Sequence, residues 1–227
     1  MKIKRIIALL ICAVLLCGTL ISCEDDPGYY LAEISVSGYG KITVLLDGVT
    51  APKTVRNFVS LAEDGFYDGL TFHRIIPNFM IQGGDPNGDG TGGSEDTIVG
   101  EFSENGYTNN ISHVRGVISM ARSEDMDSAS SQFFICNADA RASLDGKYAA
   151  FGYVIEGMDV VDKITDEVFP KTYLAEFYGN YSEYPSFNGA TYHDVWAYYG
   201  NGRIVNDADK PVIEYVKVTE YVPPEQN

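Results

Sequence analysis

Basic residues are scarce in this sequence. Lys and Arg together number 16 against 32 Asp and Glu, a formal charge of -16. Three of the cations, Lys2, Lys4 and Arg5, stand at the very start with no acidic residue before Glu24, so the rest of the chain is more acidic still. Such a surface repels phosphate backbones. It excludes sequence-independent nucleic-acid binding through a basic face and leaves solubility as the plain meaning of the charge. Cysteine is nearly as sparse. Cys12 and Cys17 lie in an apolar leader, Cys23 follows it directly, and Cys136 is alone in the body, so no disulfide framework can form within the body. Cys136 sits in the apolar run QFFIC and reads as a buried, inert thiol. Histidine numbers only 3, and His73 and His113 stand apart from cysteine and from each other. Both read as hydrogen-bonded structural residues, and neither a metal nor a cofactor is expected. Past the leader there is no apolar run long enough for a transmembrane helix, and no internal repeat.

What is present is the composition of one folded, loop-rich domain: 227 residues, 45% apolar, 21% charged, with 23 Gly and 16 Tyr. The first 22 residues have a basic start, an apolar stretch from Ile6 to about Leu20 and a small polar end, the three parts of a secretory signal. The ending Leu20-Ile21-Ser22-Cys23 resembles the lipobox of bacterial lipoproteins. That resemblance implies cleavage before Cys23 and a lipid on its thiol, strong enough an anchor for a stable membrane attachment. A plain signal peptide and an uncleaved signal anchor are the alternatives. Residues 23–28 then read as an acidic, breaker-rich tether. The expected placement is the bacterial cell envelope, the outer membrane preferred and the face left open.

From Tyr29 onward the pattern is that of short strands. YLAEISV and KITVLLD flank a Ser37 to Gly40 turn, and LTFHRII, FMIQG, GVISMA, SQFFICN, AAFGYVI and a closing VIEYVKVTEYV follow, bounded by Gly, Asn, Asp or Ser. A helix is predicted after Thr50, its expected cap, with Pro52 in the first turn. Val55, Phe58, Val59 and Ala62 share its buried face, and Gly65 stops it. Met158, Val161 and Ile164 predict a second, short helix. Many short strands with few helices define a mainly β fold, a closed barrel or sandwich. The expected division is a signal peptide at 1–22, the tether at 23–28, one domain at 29–222 with a Tyr-rich insertion at 165–210, and a tail at 223–227.

The run GGDPNGDGTGG matches two motifs that its context does not support. As Gly88-x-Gly90-x-x-Gly93 it imitates a dinucleotide fingerprint, but no amphipathic helix follows Gly93. As Asp85-x-Asn87-x-Asp89 with Asp96 at the twelfth position it imitates a calcium loop. There Pro86 stiffens the turn, Asp96 replaces the bidentate Glu, and neither flank is helical.

Function is concentrated in FHRIIPNFMIQGGD, Phe72 to Asp85. Strand alternation across a Pro77-Asn78 turn can put Arg74 with Met80 and Gln82 on one face. An arginine and a glutamine beside large apolar residues make an apolar pocket with one strong donor set and nothing placed for proton transfer. That suits holding an uncharged ring next to a cation. Phe79, Met80 and Phe134 taken alone would be core; Arg74 and Gln82 on apolar strands tilt the balance, since a buried charge is costly.

This run resembles the cyclophilin signature, and the likeness continues in order through GDGTGG, EFSENGYTNNISHVRGVISMAR and SASSQFFICNADARASLDGKYAAFGYVIEGMDVVDKI. It covers about Tyr29 to Ile164. The resemblance implies an eight-stranded antiparallel β-barrel capped by two helices and a cofactor-independent peptidyl-prolyl cis-trans isomerase. Its substrates would be proline-containing segments of exported proteins. By the same resemblance, Arg74 is the catalytic residue and Gln82 orients it. Phe79, Met80 and Phe134 form the proline pocket, with Gln132 beside Gln82. Ala121, Arg122 and Ser123 line the groove on the amino side of the proline, and Leu144 and Tyr148 close the pocket. A barrel that binds proline segments without turnover, as a chaperone or a surface lipoprotein module, is the alternative.

Three departures stand out. Ser143 precedes Leu144-Asp145 where many cyclophilins carry an aromatic residue, which implies weak binding of the cyclic peptide cyclosporin. Tyr148 stands where other members have His. The insertion at 165–210 is the larger departure, and its Tyr, Asn and Gly content suits either a contact surface or a segment folded back over the barrel.

Overall fold

The computed structural model describes residues 28–178, 202–204 and 207–224. The leader, Cys23 and nearly all of its tether, much of the Tyr-rich stretch and the last three residues lie outside the described residues.

Among the described residues eight strands form one antiparallel sheet: β1 (Tyr29–Val36), β2 (Gly40–Asp47), β3 (Thr71–Ile76), β4 (Met80–Asp85), β5 (Val117–Met120), β6 (Phe133–Cys136), β7 (Ala150–Glu156) and β8 (Ile213–Tyr221). Their order is β3-β4-β6-β5-β7-β2-β1-β8. The two edge strands meet where Ile213 N–H donates to Leu70 O at 2.7 Å and Phe72 N–H to Pro211 O at 2.9 Å. The sheet thus curls back on itself, which protects edges that would otherwise template aggregation. Each strand falls within about two residues of the segment that alternation predicts.

Register follows from the tight turns. Between β3 and β4, Phe79 N–H donates to Ile76 O at 3.2 Å, and Asn78 takes φ 59°. Pro at the second position and Asn at the third suit a type II turn. That turn pairs Ile75 with Ile81 and Arg74 with Gln82. The inward row Ile75, Ile81, Ile135 and Ile118 then runs across β3, β4, β6 and β5 and is wholly buried.

Helix α1 (Pro52–Glu63) presents Val55, Phe58, Val59 and Ala62 to the core, together with Thr54. Phe58 is the hub of an aromatic group, 5.0 Å from Tyr67, 5.5 Å from Phe133 and 5.4 Å from Phe151 between ring centres. Burying such a ring contributes roughly 2 to 3 kcal/mol, so this group anchors the helix to the sheet. Thr50 does not cap α1. Its hydroxyl and N–H are both held by Asp47, and the cap residue is Ala51. The orphan amides are met instead by Glu101, buried in a distant loop, which accepts Lys53 N–H at 3.1 Å, Thr54 N–H at 2.8 Å and the Thr54 hydroxyl at 2.7 Å.

Two further helices follow among the described residues. The single turn α2 (Arg141–Leu144) was not expected, and it carries Leu144 inward. Helix α3 (Met158–Tyr178) has 21 residues where the sequence predicts only Met158 to Ile164. Val168 is buried one turn beyond Ile164 and extends the same apolar face. The first part of the expected insertion is therefore helix, and α3 lies against β2 and β3. Among the described residues no helix is long and apolar enough to cross a membrane.

Candidate active site

The row outward from the core on the same strands is Arg74, Gln82, Phe134 and Ser119, each paired with the next across β3, β4, β6 and β5. Paired residues of an antiparallel ladder point to one face, so this register brings residues far apart in sequence onto one surface. Arg74 Nη1 donates to Gln82 Oε1 at 3.0 Å. Gln82 Nε2 donates to Gln132 Oε1 at 2.8 Å, and Gln132 Nε2 donates to Gly92 O at 2.7 Å. The amides form a one-directional chain that ends on backbone. It fixes Gln82 with its oxygen toward the Arg74 guanidinium.

Two adjoining cavities flank this chain. The smaller, about 200 Å³, is lined by Arg74, Phe79, Met80, Gln82, Ala121, Arg122, Phe134, Leu144 and Tyr148. Drug-sized ligands occupy larger sites, so this space fits one side chain or small ring. Ile76, Met80, Phe134, Cys136 and Leu144 form its buried apolar floor. The larger, about 340 Å³, is polar, lined by Gly90, Thr91, Gly92 and Gly93 with Ser94, Ser123, Ser128, Ser130 and Gln132. Gln82, Ala121 and Arg122 border both. The sequence-predicted site residues are thus brought together, nine on the smaller cavity and Ser123 and Gln132 on the larger. Sequence reasoning missed Ser130 and the glycines of the larger cavity. The signal for the glycines was the glycine-rich run that follows Gln82 directly on β4.

Arg122 forms the ridge between the cavities. Its guanidinium lies 4.9 Å from the Tyr148 ring centre and 5.2 Å from that of Phe102. Nε donates to Lys147 O at 2.9 Å and Nη1 to Ser123 O at 2.8 Å, so the side chain is held flat between two rings. Phe134 meets Tyr148 edge to face at 5.9 Å and is backed by the His113 ring, nearly parallel at 6.2 Å.

His113 belongs to a Ser-His-Asp chain. Its Nδ1 lies 2.9 Å from Asp145 Oδ1 and its Nε2 3.0 Å from Ser119 Oγ. Burial pushes the imidazole pKa down and outweighs Asp145, which raises it, so the ring stays neutral. For Asp145 burial acts upward, but the backbone and ring N–H of His113 prevail and hold the carboxyl below its ordinary value. The matching tautomer has Nδ1–H donating to Asp145 and Nε2 accepting the Ser119 hydroxyl. Ser119 has no exposed surface, so it offers no nucleophile. The chain supports the back of Phe134.

His73 differs from expectation. It is buried, yet among the described residues neither ring nitrogen has a hydrogen-bond partner. Burial pushes its pKa down to about 4, and Arg74, Arg203 and Lys210 add to the effect against Asp85. Cys136 is fully buried, and burial raises its thiol to about 12, the inert state expected. The calcium-like loop is closed by its own backbone, since Asp85 accepts N–H groups from Asn87, Asp89 and Gly90. No helix opens at Gly93, and among the described residues no group of His, Cys, Asp and Glu is arranged to hold a metal.

A curled antiparallel sheet of eight strands, with an arginine and a glutamine over an apolar pocket, is the architecture of the cyclophilin fold, and the comparisons with known proteins agree on that fold and family. The family model "Cyclophilin type peptidyl-prolyl cis-trans isomerase/CLD" matches residues 31–175. The chain is 42% identical over 161 residues to a peptidyl-prolyl cis-trans isomerase of Acinetobacter baylyi, covering 68% of this chain and 81% of that one. It is 45% identical over 130 residues to peptidyl-prolyl cis-trans isomerase A of Dickeya dadantii, covering 56% and 66%. A crystal structure of a Cryptosporidium parvum cyclophilin type isomerase with the dipeptide Ala-Pro superposes with a TM-score of 0.61 at 24% identity, over 84% of this chain and 99% of that one. The chain belongs to the cyclophilin-type peptidyl-prolyl cis-trans isomerases. It is a cofactor-independent isomerase of X-Pro peptide bonds.

Proposed function

We propose that Arg74 performs the catalysis, with the proline ring seated on Phe79, Met80, Phe134 and Leu144 and the preceding residues lying over Gln82, Ala121 and Arg122. The observation that carries this reading is the chemistry of the cleft: among the described residues, neither cavity is lined by a carboxylate, imidazole, thiol or amine. Such a site offers no carboxylate or imidazole base, yet it has a cation beside an apolar seat. Rotation about X-Pro needs only that. Amide resonance sets a barrier of about 18 to 20 kcal/mol, and a donor aimed at the prolyl nitrogen draws its lone pair out of conjugation. Arginine suits the task because its planar fork stays charged and can hold Gln82 and substrate at once. A rate gain of about 10⁵ needs about 7 kcal/mol, within reach of oriented binding plus one desolvated electrostatic contact.

A protease-coupled assay on a short Ala-Pro-Phe peptide tests this. The chain accelerates the slow phase, and Arg74→Ala removes most of that acceleration. Equal, uncatalysed rates with peptide binding retained would support the binding-module reading instead.

The working place follows from residues 1–28 alone: export, cleavage before Cys23, a lipid on its thiol, and action on proline-containing segments of exported proteins in the cell envelope. Its support is the tripartite leader and the Leu20-Ile21-Ser22-Cys23 ending. Membrane fractionation with intact-mass analysis of wild type and Cys23→Ser tests it. An unmodified, soluble wild-type chain would refute it.

A further inference from the structure

Part of the stretch that the family resemblance leaves unexplained is built against the active site. Gly202 O accepts Ile75 N–H at 2.7 Å and Ile204 N–H donates to His73 O at 2.9 Å, with Arg203 bridged to Arg74. A short antiparallel segment is thereby added along the outer edge of β3, centred on Arg74. Ile204 is 4% exposed and joins the main core, which pins the segment. Gly202 has φ 82°, and a Cβ there would stand 2.6 Å from Ile76 Cγ1 and 3.2 Å from Arg74 Cγ. Its backbone therefore lies directly on the stem of the arginine, a place and a conformation that only glycine fits.

The same stretch reaches the other wall of the cleft. Lys210, its side chain 8% exposed, donates from Nζ to Gly88 O at 2.6 Å and to the exposed carboxylate of Asp207. Arg203 lies against Gly90, where a Cβ would stand 3.1 Å from Nη2. Gly88 begins the loop whose next residues, Gly90 to Gly92, wall the larger cavity. Gly92 O in turn receives Gln132, and the amide chain runs back to Arg74. One segment thus holds both ends of a loop of contacts around the cleft.

We infer that residues 202–204 and Lys210 form a positioning clamp, with Lys210 fixing the Gly88 to Gly92 wall and so setting how tightly the larger cavity grips the side chain on the amino side of the proline. Lys210 lines neither cavity, so it acts on grip and not on the rotation step. The inference rests on the proposed groove, and its test separates the two.

Two X-Pro peptides are compared with the full chain, one with a glutamate two residues before the proline and one with glycine there. Lys210→Met raises KM for the glutamate peptide about fivefold, leaves kcat within about twofold, and leaves the glycine peptide unchanged, the pattern of lost ground-state binding. Lys210→Arg, which keeps a donor, restores the wild-type KM. Equal KM changes for both peptides, no change for either, or failure of the arginine variant would overturn the clamp. Amide exchange gives an answer even in a chain without turnover: Asp89 and Gly90 exchange about tenfold faster in Lys210→Met, as expected for a loop that opens more often. Unchanged protection there would refute the clamp while leaving the catalytic reading untouched.

Discussion

His73 should make the fold sensitive to mild acid. In the unfolded chain its imidazole has a pKa near 6.5, whereas burial beside Arg74, Arg203 and Lys210 lowers it to about 4 in the folded state. Between these values the unfolded chain binds a proton that the folded chain refuses. Stability contributed by this group is therefore complete above pH 6.5 and falls as the pH drops toward 4. At about 1.4 kcal/mol for each pH unit, the loss reaches about 3 kcal/mol, a large share of an ordinary domain's stability. His113 shifts in the same direction and steepens the wild-type profile. The contribution of His73 is isolated by substituting it. His73→Leu removes the two buried nitrogens that lack a partner among the described residues, so stability at pH 7.5 is maintained or raised. Urea unfolding of both proteins at pH 7.5, 5.5 and 4.5 gives the comparison. The stability difference between them should move by about 3 kcal/mol in favour of the variant as the pH falls across that window. A difference independent of pH would refute the reasoning.

Three other outcomes follow from single contacts. Glu101→Ala, which uncovers the first amides of α1, should cost about 2 kcal/mol in urea unfolding with isomerase activity retained; an unchanged midpoint would contradict the capping role. Phe134→Ala should cost about 3 kcal/mol of stability and raise KM more than it lowers kcat, because the ring is both buried floor and proline seat; steady-state kinetics with an unaltered KM would exclude it from the pocket. The Ser143 hydroxyl turns back to Ala140 O at 3.0 Å and offers no aromatic wall. Cyclosporin should therefore bind weakly, and Ser143→Trp should tighten it about tenfold in a titration; nanomolar binding by the wild type would refute this.

The strands were legible because alternation on a half-buried surface is a two-residue signal that needs no distant partner, as in KITVLLD and YLAEISV. Arg74 and Gln82 could be matched from sequence because the Pro77-Asn78 turn fixes their register. Cys136 was equally plain from its apolar neighbours. What escaped depended on contacts across the chain. Thr50 looked like the cap of α1, but Glu101, far along the sequence, supplies the carboxylate. The length of α3 was hidden by the polar run Thr165, Asp166 and Glu167, although Val168, four residues after Ile164, keeps the helical spacing. His73 was expected to be hydrogen-bonded, and nothing in FHRII reveals that its ring is buried without a partner among the described residues. The pairing of Gly202 to Ile204 with β3 is likewise a tertiary event, written in no local pattern.

The central claim is that Arg74, held by Gln82 over an apolar seat, catalyses rotation about X-Pro. Two-dimensional NMR exchange on a short Ala-Pro peptide at equilibrium measures that rotation without a coupling protease. With a small amount of the chain, cis and trans resonances should exchange far faster than the uncatalysed tens to hundreds of seconds, with their ratio unchanged. Arg74→Ala should bring exchange close to the uncatalysed rate, while Arg74→Lys keeps only part of the gain. Exchange in Arg74→Ala as fast as in the wild type would contradict the account.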